Sequence, residues 1–401
     1  MMAEMNVLEH ASGIPESGIF TVESEIGLRK CIQCGDCSGI CPFGYLMEYP
    51  PSRMISVLRA NNFGRVTASD SVWMCIACSA CTTVCPTQIP VTVDLMTRTK
   101  EILLLNGNVP SELQSALENS QRYGNPLGES PRKRIDWIKG ADSPVPIFGK
   151  DTREADVLWF VGDYPAYHPR VQATARAMAH ILHGLKINFA VLGVEESSDG
   201  DSQRLAGEHG LFEMLAEKNG KAFRKYRFNR IITTDPHAYN ALKNEYPKLE
   251  IAYPVQHYTE FLVENLAKLK PHLVQEVEAK VTYHDPCYLG RVNGIFDAPR
   301  TLLSAIPGVT LVEMSHHHKN SLCCGGGGGG MWLDGWQWEK AHTRLSEWRV
   351  REAVQAGADI LALACPYEAP RFEDAVKTLK LVDKINVKDI SELLAESMNN
   401  K

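Results

Sequence analysis

The chain has 401 residues, 44% of them hydrophobic and 22% charged, enough for a packed core and long enough for two or three domains. Its formal net charge of −6 and the absence of Lys/Arg runs argue against a polyanion-binding surface, so no nucleic-acid partner is expected. No apolar run reaches the roughly 18 residues of a spanning helix. The opening MMAEMNVLEHASG lacks the basic and apolar regions of an export signal, which points to a cytoplasmic location.

Twelve cysteines are distributed unevenly: eight lie from Cys31 to Cys85, and the last four are Cys287, Cys323, Cys324 and Cys365. Without an export signal, reduced thiolates for metal are the better reading than disulfides. CIQCGDCSGICP places Cys31, Cys34, Cys37 and Cys41 before Pro42. CIACSACTTVCP places Cys75, Cys78, Cys81 and Cys85 before Pro86. Both follow C-x2-C-x2-C-x3-C-P, in which three close thiolates wrap one cluster and the fourth serves the other. Cys31, Cys34, Cys37 and Cys85 are therefore expected to hold one [4Fe-4S] cluster, and Cys75, Cys78, Cys81 and Cys41 a second. Structural zinc more often uses paired cysteines than triplets with a trailing Cys-Pro. Between the runs, PPSRMISVLRANNF reads as a helix opened by prolines, so residues 1–100 are expected to be an all-helical double-cluster module.

Residues 101–154 read as a helix and a Pro- and charge-rich linker. From Val157 the texture becomes β-α-β: VLWFVG as a buried strand, HPRVQATARAMAHILHGL as a helix, INFAVLG as a strand. A second such cycle begins at VTYHDPC, with a helix after Asp297, then VTLVEM and ILALA. The two cycles align. Cys287, Cys323 with Cys324, Cys365 and Glu368 in the second correspond to Asp163, Ser197 with Ser198, Asp235 and Ala238 in the first. The reading is a tandem, pseudo-twofold α/β repeat with parallel sheets, residues 155–275 carrying no cluster and residues 276–401 active. All these positions follow strands, where open α/β sheets build their sites.

NSLCCGGGGGG sets two thiols against six glycines. A polymetallic cluster can accept adjacent cysteines. Gly325, Gly326 and Gly327 would let backbone N–H groups approach the sulfurs and would leave room for a substrate. His316, His317 and His318 precede this loop; most simply they are solvated, but His318 is a candidate proton donor. His284 and Asp285, beside Cys287, are candidates for the surroundings of the same centre.

These motifs resemble the heterodisulfide reductase-like iron–sulfur oxidoreductases, from about Gly27 to Leu394. Their cysteine-rich "CCG" repeat carries one cysteine, an adjacent pair, and a closing C-x-x-C. Here Cys365 comes slightly late and Glu368 stands at the final cysteine. The resemblance implies a third iron–sulfur cluster on Cys287, Cys323, Cys324 and Cys365, either cubane [4Fe-4S] or non-cubane, with Glu368 as an oxygen ligand or a mere substitution. It implies an oxidoreductase subunit working in a hetero-oligomeric complex. Electrons would pass through two clusters to a third that reduces or oxidises a disulfide, thiol or sulfur-type substrate. The implied partners are a flavin-containing or hydrogenase electron donor and a membrane cytochrome b subunit, which would bring the chain to the cytoplasmic face of a membrane. Three other readings stay open: a pure relay to quinone or cytochrome b, a subunit serving a glycolate- or lactate-oxidising flavoprotein, and a zinc-braced docking module.

Overall fold

The structure is a computed structural model that describes residues 27–398. The expectation about an export signal, and the outer ends of the first and last segments, lie outside the described residues. Between Leu28 and Gly140 every regular element is helical. The proline-opened helix forms as Pro51–Arg59, with Pro51 in its first turn and Met54, Ile55 and Leu58 on its buried face.

Two four-stranded sheets follow, each wholly parallel. The first contains β1 (Val157–Phe160), β2 (Phe189–Ala190), β3 (Arg230–Thr233) and β4 (Val255–His257), in the order β2-β1-β3-β4. The second contains β5 (Ala279–Tyr283), β6 (Val309–Leu311), β7 (Ile360–Leu363) and β8 (Asn386–Asp389), in the order β6-β5-β7-β8. Central strands such as VLWF and ILAL are buried throughout, because helices cover both faces of a parallel sheet.

One core joins the sheets. The helices Gln172–Gly184, Tyr258–Glu264, Asp297–Ala305 and Ile390–Ser397 contribute Met178, Leu182, Phe261, Leu302 and Leu394 to it. Trp159 of β1 and Tyr283 of β5 enter the same core. The N-terminal module is held from both sides. Leu103 shares a core with Leu211 and Leu215 of the first sheet's half, and Ile76 and Ala77 share one with Leu361 and Leu363 of β7. Among the described residues no helix is long and apolar enough to cross a membrane.

In each sheet the strand order reverses at the central pair, β1/β3 or β5/β7. Cys287 and Cys365 lie just past the carboxyl ends of β5 and β7, and Asp163 and Asp235 just past those of β1 and β3. That is the position at which an open α/β sheet forms its crevice.

Candidate metal centres

The N-terminal cysteine loops turn by local backbone geometry. Gln33 and Gly35 flank Cys34 with φ of 58° and 87°, and Ala77 and Ser79 flank Cys78 with φ of 51° and 59°. Left-handed residues on both sides of the middle cysteine curl each run, so that its sulfurs share one centre. Cys37 lies near Cys31, Cys34 and Cys85; burial and these three neighbours push its thiol up to about 11. Cys81 lies near Cys78, Cys75 and Cys41, and a closed space is lined by these four with Phe43 and Met47. Burial, then Cys78 and Cys75, push Cys41 up to about 12. Each fourth cysteine thus sits with the triplet of the other run.

The third group forms from separate segments. Cys323 is within hydrogen-bond reach of Cys287, Cys324 and Cys78, so it touches the second N-terminal set as well as its own. Cys365 faces Glu368, Asp235 and Cys324. All four late cysteines are buried, with 4–7% of their surface exposed. Gly325 N donates to Cys323 Sγ at 3.3 Å and Gly326 N to Cys324 Sγ at 3.5 Å. Gly327 serves another purpose: a Cβ there would lie 2.7 Å from the carbonyl oxygen of Ile76, and one on Gly328 would lie 2.8 Å from Ala77 Cβ. The glycine run is the surface on which the second cysteine loop rests.

Glu368 and His284 lie against Cys324, and these three present ligand atoms within 4.8 Å of one another. Arg349 Nε lies 3.1 Å from His284 Nδ1, and His284 Nε2 lies 3.1 Å from Glu368 Oε1. Burial, opposed by His284, pushes Glu368 up to about 7. The His318 ring packs on Phe296 and its Nδ1 meets His317 Nδ1, while its backbone N donates to Asp285 Oδ2, two residues before Cys287. Asp285 is engaged by Arg300 at 2.7 and 2.9 Å.

The positions of the first sheet's half that the sequence aligns with the late cysteines enter a polar network. Arg134, in the helical segment Pro131–Gly140, pairs with Asp163 at 2.5 Å and Glu196 at 2.8 Å, all three buried. Asp235 caps the helix Pro236–Asn240 through His237 N. Ser197 N donates to Asn219, Ser198 N to Gly124 O, and Ala238 is fully buried.

Several residues near the thiols carry no sequence signal. His237, held by Asp201 at 2.8 Å, stacks on Tyr288 beside Cys287. Lys100 and Arg291 tie the second cysteine loop to the late one. A cavity of about 220 Å³ lies between the halves, lined by Tyr164, His168, Met331, Arg344, Tyr367 and Arg371. Arg371 Nε donates to Cys324 O, so the cavity adjoins the third thiol group.

The residues fit iron–sulfur centres. The donors are soft thiols in groups of four, they form no disulfide, and Arg291 Nη2, Tyr288 OH and Glu368 Oε2 are buried without partners around the third group.

The 4Fe-4S dicluster domain family matches residues 30–89, and the Cysteine-rich domain family, CCG, matches residues 281–367. These account for two [4Fe-4S] clusters and a further iron–sulfur cluster. Among curated relatives, "Probable iron-sulfur-binding oxidoreductase FadF" of Bacillus subtilis is 36% identical over 84% of this chain and 48% of its own length. "EtfAB:quinone oxidoreductase" of Syntrophomonas wolfei is 33% identical over 83% and 47%. A component of the dihydromethanophenazine:CoB–CoM heterodisulfide reductase of Methanosarcina barkeri is 31% identical over 92% and 94%. The chain thus spans about half the length of the first two and nearly all of the third.

Proposed function

The chain belongs to the heterodisulfide reductase-like iron–sulfur oxidoreductase family, and from that premise we propose that it carries electrons between a partner protein and a disulfide, thiol or sulfur-type substrate. The observation that carries this reading is the approach of Cys78, in the second N-terminal set, to Cys323 in the third. When bound, the clusters supply one-electron storage and transfer.

The proposed ligands are Cys31, Cys34, Cys37 and Cys85 for the first cluster, and Cys75, Cys78, Cys81 and Cys41 for the second. For the third they are Cys287, Cys323, Cys324 and Cys365, with Glu368 beside them as an oxygen donor. Gly325 and Gly326 hold two of these sulfurs by backbone N–H groups. The cavity at Tyr164 and Tyr367 admits the substrate, and Arg371, bonded to Cys324 O, fixes the loop at its inner end.

The segments 1–100, 101–154, 155–275 and 276–401 are proposed as units, the last two as pseudo-twofold copies. Their common strand order supports this, as do capping boxes at equivalent helices, His257 with Glu260 and Asp389 with Glu392. We place the chain in the cytoplasm, with a flavin-containing or hydrogenase donor and a membrane cytochrome b subunit as partners.

A relay between a flavoprotein and quinone or cytochrome b is the second reading, favoured by the burial of all four late thiols and by the name of the Syntrophomonas wolfei relative. Protein purified without air should hold iron for three clusters and no zinc. A third-centre spectroscopic signal that shifts when thiols or disulfides are added supports substrate chemistry. A signal indifferent to every thiol and disulfide leaves the relay.

A further inference from the structure

Arg291 lies four residues beyond Cys287, in CYLGRVNG, and reaches out of its own half. Its Nε donates to Cys78 O at 2.9 Å, and its Nη1 donates to Ser321 O, just before the cysteine pair. Nη2 is buried and has no hydrogen-bond partner. The sulfurs around the guanidinium are those of Cys78, Cys287, Cys323 and Cys324, one from the N-terminal module and three from the late group. Burial works against its charge, and these thiolates more than offset that, holding its pKa above the ordinary value. A guanidinium stays charged at any working pH, and its rigid fork spans two acceptors as an ammonium cannot.

We propose that Arg291 is the positioning residue that electrostatically joins the second and third centres, its guanidinium favouring the reduced form of both while its two carbonyl tethers hold them in register. This rests on the reading that both thiol groups hold clusters. Each centre gains one negative charge per electron taken up; Arg291 keeps its proton and its charge, so the effect is one of field, and no bond is made or broken. Arg291 as a whole is half-buried, but its Nη2 is out of water, so the part of the charge that faces the sulfurs is weakly screened. The first centre, at Cys31, Cys34, Cys37 and Cys85, is outside the set that Arg291 faces, and so supplies an internal reference.

The test is a redox titration of the anaerobic protein, followed by electron paramagnetic resonance, in wild type, Arg291→Gln and Arg291→Lys. Iron content and three distinct signals check the underlying reading separately. In Arg291→Gln the reduced-to-oxidised ratio at fixed potential should fall at least tenfold at the second and third centres, 59 mV or more for a one-electron couple. At the first centre it should change by less than about twofold. In Arg291→Lys, which keeps the charge and loses the fork, both ratios should fall by about twofold to fivefold. Should the Gln variant fail to assemble, the Lys variant decides by that same joint fall. Unchanged ratios at both centres, opposite shifts, an equal shift at all three centres, or a Lys variant that falls as far as the Gln variant would each overturn the proposal. Wild-type protein with iron but only two signals would instead overturn the reading beneath it.

Discussion

Lys100 of the N-terminal module donates from Nζ to the carbonyl oxygen of Gly328 at 2.8 Å, and from the same ammonium to Cys75 O at 2.8 Å. The side chain is fully buried, so one charged group fastens the second cysteine loop to the glycine run. Lys100→Met should leave both carbonyls without their donor. Hydrogen bonds to charged groups contribute about 1.5–3 kcal/mol each, so a loss of about 3 kcal/mol is expected in anaerobic urea unfolding. The variant should also lose iron from the second and third centres before the first.

The glycines can be separated by what opposes a side chain. Gly327 has no left-handed backbone requirement, but its Cβ would meet Ile76 O at 2.7 Å; Gly328 combines φ of 58° with a 2.8 Å approach to Ala77 Cβ. Gly327→Ala and Gly328→Ala should each destabilise by about 2 kcal/mol or more, with Gly328→Ala the worse. Gly335, in the helix Asp334–Ala341, has open space around it, and Gly335→Ala should stabilise by about 0.5–1 kcal/mol. Equal tolerance of alanine at Gly327 and Gly335 in thermal unfolding would refute the docking role of the run.

Asp389 caps the last helix, accepts from Tyr258 OH at 3.0 Å, and is pushed up to about 7 by burial. A carboxyl whose folded pKa lies above its unfolded value of about 3.9 is protonated in the native state while the unfolded chain has already released its proton. Its contribution is therefore complete below about pH 4 and lost as pH rises through 7. Raising pH from 5.5 to 8 should cost the wild type about 2 kcal/mol that Asp389→Asn does not lose. Urea unfolding of both proteins at the two pH values measures the difference, and parallel losses would assign the dependence to other groups.

Arg134 holds Asp163 and Glu196 together beside the first sheet. Breaking a buried pair by removing one partner costs about 3–5 kcal/mol, because a charge stays buried without compensation. Arg134→Met should lower stability by that amount and leave iron content at wild-type level. Loss of iron in a protein that remains folded would mean that the first sheet's half contributes to a cluster.

Glu368 stands where the family pattern closes with a cysteine, and its Oε2 lacks a partner. Glu368→Cys adds a fifth thiol to the late group. Magnetic resonance should show a changed third signal, with the two N-terminal signals unaltered. An unchanged third signal would place Glu368 outside the centre.

The sequence determined what depends on short range. Cysteines three residues apart reach one centre through a few backbone angles, and the left-handed turns at Gln33, Gly35, Ala77 and Ser79 complete that geometry without distant help. Buried β-branched and aromatic runs marked the strands, and the positions just past them marked the crevices that hold Cys287 and Cys365. The short edge strand Phe189–Ala190 was less legible than INFAVLG suggested, since only two of those residues pair with β1.

Only the tertiary structure decided what the thiols meet. The contact of Cys78 with Cys323, the spans of Lys100 and Arg291, the approach of His237 and the packing of His318 on Phe296 all depend on how three segments pack. No spacing encodes such contacts, because they follow from burying the faces of helices and sheets against one another. The six glycines show the limit most clearly. The residue type announced that something must come close, and only the packed chain showed that for Gly327 and Gly328 it is the backbone of Ile76 and Ala77.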